Sequence, residues 1–166
     1  GELFFGGING FNYFDPLQIK DKLIPPPIVI TDFQLFNESA NIDSGRGTPL
    51  EKSILETDEI VLSHTDYFFA FKFAALDFTT PSKNKYEYMM EGLDKTWIKK
   101  SADNRYASYT NLDPDTYTFR VRGSNNDGIW NEKGVSIKIV INPPFWKTWW
   151  FLTFTGAVAG SLVGIA

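Results

Sequence analysis

The chain has no cysteine and a single histidine, His64, among its 166 residues. The first absence removes disulfide frameworks, thiol catalysis and cysteine-held zinc, and the second leaves no pair of imidazoles to hold a metal or relay protons. Neither fixes the compartment, since exported domains need not carry disulfides. Basic residues number 16 against 20 acidic ones and form no stripe, so a nucleic-acid partner is not expected. No Gly-rich phosphate loop and no Ser/His/Asp set is recognisable. No catalytic residue, cofactor or metal is therefore expected in this segment. The N-terminus has neither a basic start nor an apolar core, so it is not a signal peptide. It opens within strand-like sequence, and the chain is expected to be a piece of a longer protein.

Aromatics are plentiful: they make up 16% of residues, and 43% of residues are hydrophobic, enough for a large core. The most informative stretch is Leu112–Gly123. Asp113-Pro114-Asp115 is a turn, where Pro presets φ and Asp can bond its neighbours' backbone. Strict alternation follows, with Tyr117, Phe119 and Val121 on one face and Thr118, Arg120 and Arg122 on the other. A period of two marks a half-buried antiparallel strand. Leu-x-Pro-x-x-Tyr before it resembles the tyrosine corner of immunoglobulin-like and fibronectin type III sandwiches, in which the Tyr hydroxyl ties back to upstream backbone.

In chain order, residues 1–24 read as a hairpin and linker. Leu3-Phe-Phe5 and Phe11-Asn-Tyr-Phe14 flank the turn-forming Gly6–Gly10 run. Two strands alone are marginal, so the hairpin should belong to a larger sheet. Its aromatic pair before Gly, second Gly and later aromatic-Asp-Pro resemble a repeat of two-component-regulator β-propellers; a stray edge hairpin is the alternative. Pro25-Pro26-Pro27 marks a stiff boundary. The sandwich is expected over residues 25–147. Its first strand places Val29, Thr31, Phe33 and Leu35 on one face, and residues 37–50 form a loop or loose hairpin. A short strand at 59–62 precedes a longer one with Tyr67, Phe69, Phe71 and Phe73 on one face. Further strands follow at 86–91 and 105–110. After Arg122, Asn125–Gly128 makes a hairpin turn, and Val135, Ile137, Ile139 and Ile141 point inward from the last strand.

Tyr88, Tyr109 and Tyr117 occur with Glu91-Gly-Leu-Asp94, Trp97, Leu112, Pro114, Asn126-Asp-Gly-x-Trp130 and Asn142-Pro-Pro-Phe-Trp146. This combination resembles the three-tyrosine (Y_Y_Y) domain of bacterial hybrid two-component sensor histidine kinases, over roughly residues 28–147. Asp115 departs from the family's turn, which often has Gly there. The resemblance implies an all-β, immunoglobulin or fibronectin III-like antiparallel sandwich between a propeller sensor and a membrane helix. It further implies a kinase parent, an inner-membrane location with the sandwich in the periplasm, and a carbohydrate ligand bound upstream.

Residues 148–166 contain no charge. A spanning helix needs about 20 apolar residues, so this run is expected to be the start of one. Trp146, Trp149 and Trp150 suit the membrane interface, and Lys147 can snorkel outward. A buried strand or a docked helix is the alternative. Gly156, Gly160 and Gly164 would share one helix face and allow close packing of two protomers, although glycine is common in membrane helices generally. A homodimer follows as the expectation.

The carboxylates Asp94, Asp103, Asp113, Asp115 and Asp127 fall in turns, where capping is their ordinary role. A calcium site at Asn125–Asp127 misses the EF-hand spacing. Trp97 and Trp130 could stack on sugars if exposed, but capping of the core is the expectation. Two other functions compete with the sensor reading. One is a membrane-tethered carbohydrate-binding or adhesion module without signalling, the other an accessory sandwich of a glycoside hydrolase.

Overall fold

The computed structural model describes residues 2–16, 24–40 and 48–155. Strands β1 (Leu3–Gly7) and β2 (Gly10–Phe14) form an antiparallel two-stranded sheet with Phe4 opposite Tyr13 and Phe5 opposite Asn12. Their aromatic side chains are exposed on both faces.

Two further sheets make a sandwich. One has four strands in the order β4–β3–β6–β9: β3 (Ile28–Leu35), β4 (Glu38–Ser39), β6 (Phe68–Ala75) and β9 (Tyr106–Thr110). The other runs β5–β11–β10–β7–β8: β5 (Glu59–Ser63), β7 (Lys85–Glu91), β8 (Ile98–Ser101), β10 (Thr116–Ser124) and β11 (Trp130–Asn142). Pairing is antiparallel except where β5 lies parallel to β11.

The period-two pattern of β10 puts Tyr117, Phe119 and Val121 in the core, as expected. Phe119 sits at the centre of it: its ring stacks on Phe71 with centroids 4.4 Å apart and meets Phe73, Tyr88 and Tyr109 at about 6 Å. Offset and edge contacts of this kind add to the burial of large rings. Ile137, Ile139 and Ile141 of β11 close the same layer.

Two expected faces need correction. In β3 the inward residues are Ile28 and Ile30, then Phe33, because a bulge between Ile30 and Asp32 adds a residue and reverses the alternation. Val29 and Thr31 therefore face away from the core. In β6 the inward row starts at Phe69; Tyr67 precedes the strand, is 56% exposed, and meets Phe36 edge-on at 4.9 Å.

Phe36 and Asn37 are the two-residue turn between β3 and β4, with Leu35 opposite Glu38. Both have positive φ, 50° and 66°, the backbone of a type I′ turn in which Asn-Gly is the favoured pair. An aromatic residue at the first position costs about 1 kcal/mol or more of steric strain. Gly134 is an opposite case. Its φ is 57°, and a Cβ there would lie 2.1 Å from the Val121 carbonyl oxygen, so only glycine fits.

After β11 a 3-10 turn, Phe145–Lys147, leads to a helix over residues 149–155. Among the described residues no helix is long and apolar enough to cross a membrane. Gly156, Gly160 and Gly164 lie outside the described residues, as does most of the expected membrane segment.

Candidate functional site

The tyrosines named from the sequence occupy three different positions in the sandwich. Tyr117 makes the tyrosine corner, its hydroxyl donating to the Asp113 carbonyl at 3.0 Å. That bond pins the loop joining β9 to β10, and Leu112 packs on the core from it, while Pro114 stays exposed in the turn. Tyr109 reaches across from β9 and donates to Asp94 Oδ2 at 3.1 Å, while the same oxygen accepts the Met90 N–H at 2.8 Å. Asp94 thus closes the β7–β8 turn and joins the two sheets. Tyr88 lies between them, edge-on to Tyr109 at 6.4 Å. Burial pushes the Tyr109 hydroxyl far above its usual range, with the Asp94 carboxylate adding to the effect through charge and through the hydrogen bond. The Tyr88 hydroxyl rises for the same two leading reasons, burial first and then Asp94. The Tyr117 hydroxyl is raised by burial, then by Asp115 and Asp113.

Trp97 and Trp130 do not cap the core. They lie on the outer face of the five-stranded sheet and hold the Arg122 guanidinium between them, 4.4 Å and 5.7 Å from the two ring centroids. Arg122 also donates twice to Glu87 Oε2, at 2.9 and 2.7 Å, and once to Glu132. Glu87 is only 8% exposed, so its charge depends on this pairing. The sequence placed Arg122 outward but gave no sign of the clasp, because its parts come from β7, the β7–β8 loop, β10 and β11. Glu132 is delivered by the bulge opposite Arg122, where Val121 pairs with Val135 and Gly123 with Asn131.

The chain enters and leaves at opposite ends of the sandwich. At the arrival end Pro26 is buried, its carbonyl accepts Asn131 Nδ2 at 2.9 Å, and the Pro27 carbonyl accepts the Leu76 N–H at 2.8 Å. Strand β11 then runs from Asn131 to Asn142, which pairs with Ser63 at the far end. Pro144 is buried there, and the Lys147 and Thr148 N–H groups bond the Pro144 and Phe145 carbonyls. Trp146 meets His64 edge-on at 5.3 Å. One strand therefore links both proline joints.

Of the turn carboxylates, Asp115 joins Asp94 in accepting a backbone N–H, that of Thr116 at 2.7 Å. The Asn125 amide oxygen accepts the N–H groups of Asp127 and Ile129 at 3.0 and 2.9 Å. Asp103 lines a surface hollow of about 370 Å³ with Lys72, Arg105 and Tyr106. Lys72 there is already paired with Asp32 at 3.4 Å. No cluster of three or more His, Asp or Glu side chains suited to a metal occurs among the described residues.

Residues 77–142 match the Y_Y_Y domain. The match begins after β6, so β3 to β6 complete the sandwich from outside it. A curated relative, histidine kinase P4 of Formosa agariphila, is 35% identical over 163 residues. That alignment takes in 98% of this chain and 12% of the relative. Among solved structures, the chain is similar to the extracellular domain of B. thetaiotaomicron BT4673, described as a hybrid two component system, at TM-score 0.65 and 24% identity. It is likewise similar to that of BT3049, described in the same way, at TM-score 0.60 and 29% identity. The similarity covers 87% and 86% of this chain and 19% of each of those chains. The three-tyrosine resemblance read from the sequence thus has a matching family model, a histidine-kinase relative and solved neighbours of the same architecture.

Proposed function

We propose that this chain, which carries a Y_Y_Y domain, is the extracytoplasmic neck of a two-component sensor kinase. It passes a change in geometry from an upstream sensing unit to a membrane helix. The observation that carries the proposal is the pair of buried proline joints, Pro26 and Pro144, at opposite ends of one continuous strand. Slack joints would absorb a displacement, whereas two buried joints, the first of them also bonded to the sandwich through Asn131, pass the displacement on. The histidine-kinase relative and the extracellular neighbours support the sensor context.

In this reading the exposed aromatic hairpin β1–β2 is part of an upstream propeller that binds an oligosaccharide, and the sandwich lies in the periplasm beside the inner membrane. Two protomers work together, packed along Gly156, Gly160 and Gly164, with ligand preferring one of two arrangements. Trp149 and Trp150, 79% and 52% exposed, sit with Trp146 and Lys147 at the water interface of the membrane.

The test is a flexible Gly/Ser insertion after Pro144 in the parent kinase, with phosphorylation measured before and after adding oligosaccharide mixtures. The proposal expects the response to vanish while the folded sandwich persists, and an intact response would overturn it. In a membrane-association assay, Gly160→Leu should weaken pairing.

A further inference from the structure

The end of the sandwich from which the chain departs carries exposed aromatic side chains that the core does not need. Phe36 is 44% exposed, Tyr67 56%, Phe145 59% and Trp146 46%. They share one end of the sandwich, with Phe36 against Tyr67 and Phe145 against Trp146, which in turn meets His64. The Phe36 N–H bonds the Phe68 carbonyl at 3.1 Å, Tyr67 precedes Phe68, and Ser63, four residues before Tyr67, pairs with Asn142 at the departure point. Phe36 is also held at a φ of 50°, a conformation that a non-glycine residue adopts at a cost and that clusters at functional positions. Here it places an aromatic ring at the tip of a turn, in water, against a second exposed ring.

The uncharged run that begins at Thr148 starts at this same end, with Trp149 and Trp150 at its head and Trp146 just before it. We infer that the patch of Phe36, Tyr67, Phe145 and Trp146 rests on the headgroup layer of a bilayer, so that the sandwich touches the membrane at a second point beside the helix. The inference builds on the membrane reading above and adds a contact made by the sandwich itself. Amphipathic and aromatic rings are the side chains that favour this layer. Asp66, Asp113 and Asp115 lie in the turns of this end, so zwitterionic headgroups suit it better than anionic ones. A two-point contact fixes the tilt of the sandwich, which a helix alone would leave free to swivel.

The absence of cysteine permits single labels. Nitroxides are placed through Thr65→Cys near the patch, Thr153→Cys in the helix and Thr79→Cys at the arrival end, and the chain is reconstituted in phosphatidylethanolamine/phosphatidylcholine vesicles. Accessibility to a water-confined nickel chelate is then read by power saturation. The inference expects several-fold lower accessibility at 65 and 153 than at 79. In Phe36→Ser/Tyr67→Ser, position 65 should open while 153 stays shielded. If 65 is as open as 79 while 153 is shielded, the second contact is wrong and the membrane reading stands. If 153 is also open, both fall. Shielding at 65 with spin–spin broadening that disappears on dilution with unlabelled chain would show a second copy covering the patch, and would overturn the inference.

Discussion

The Tyr109 hydroxyl and the Met90 backbone N–H both donate to one oxygen of Asp94, at 3.1 and 2.8 Å. That oxygen joins a strand of the four-stranded sheet to the turn that ends β7 in the other. The arrangement has a pH signature. The folded Tyr109 hydroxyl is held above the usual tyrosine range, first by burial and then by Asp94. The folded state therefore holds its proton to higher pH than the unfolded chain does. The resulting stability is fully present below about pH 10 and is lost as pH climbs from there toward the folded value. Tyr109→Phe should flatten the fall of stability in alkaline denaturation, followed by tyrosinate absorbance. An unchanged alkaline slope would refute the assignment.

Arg122 is expected to be worth more than a surface ion pair. Its side chain is 25% exposed and that of Glu87 11%, so removing the cation leaves a largely buried carboxylate unpaired. Arg122→Leu should cost about 3 kcal/mol, and adding Glu87→Leu should recover part of it. Arg122→Lys should recover little, since an ammonium cannot reproduce the two hydrogen bonds to Glu87 or the planar cation's contact with the Trp97 and Trp130 rings. Urea denaturation of the wild type, both single leucine variants and the double variant measures the coupling, with Arg122→Lys as a fifth protein.

Phe36 should be a position where stability and surface chemistry pull apart. With the ring partner removed by Tyr67→Ala, Phe36→Asn should stabilise the chain by about 1 kcal/mol through relief of the left-handed backbone. A loss of stability in that background would show that the ring contributes to the fold.

Gly134→Ala should be among the most damaging small substitutions. The added Cβ meets the Val121 carbonyl carbon as well as its oxygen, at 3.0 and 2.1 Å, so β10 and β11 must part at the bulge that carries Glu132. A cost of about 3 kcal/mol or more is expected, and thermal unfolding would read it.

Much of this architecture was legible in the sequence. The alternation of β10 and β11, the tyrosine corner and the Asn125–Gly128 turn follow from local rules and stand in the structure. What escaped was non-local or irregular. The bulge in β3 reverses which residues face inward, and no period-two count can foresee an inserted residue. The parallel pairing of β5 with β11 depends on which edge is free after the rest has assembled. The Arg122 clasp pairs Arg122 with Glu87, 35 residues away, and the Phe36-Asn37 turn lacks the glycine by which such turns are usually recognised. The size of Trp97 and Trp130 and their place beside sandwich turns point to core caps, which they are not. Their cationic partner could only be seen once β10 lay between them.

The central claim is that the sandwich is a stiff link between its two proline joints. Paired nitroxides at Ile24→Cys and Phe145→Cys, both exposed sites, test it by pulsed distance measurement on the otherwise cysteine-free chain. The account predicts a single narrow distance that broadens when a Gly/Ser segment is inserted after Pro144. A broad distribution in the uninserted chain would show that the joints already swivel, and would contradict it.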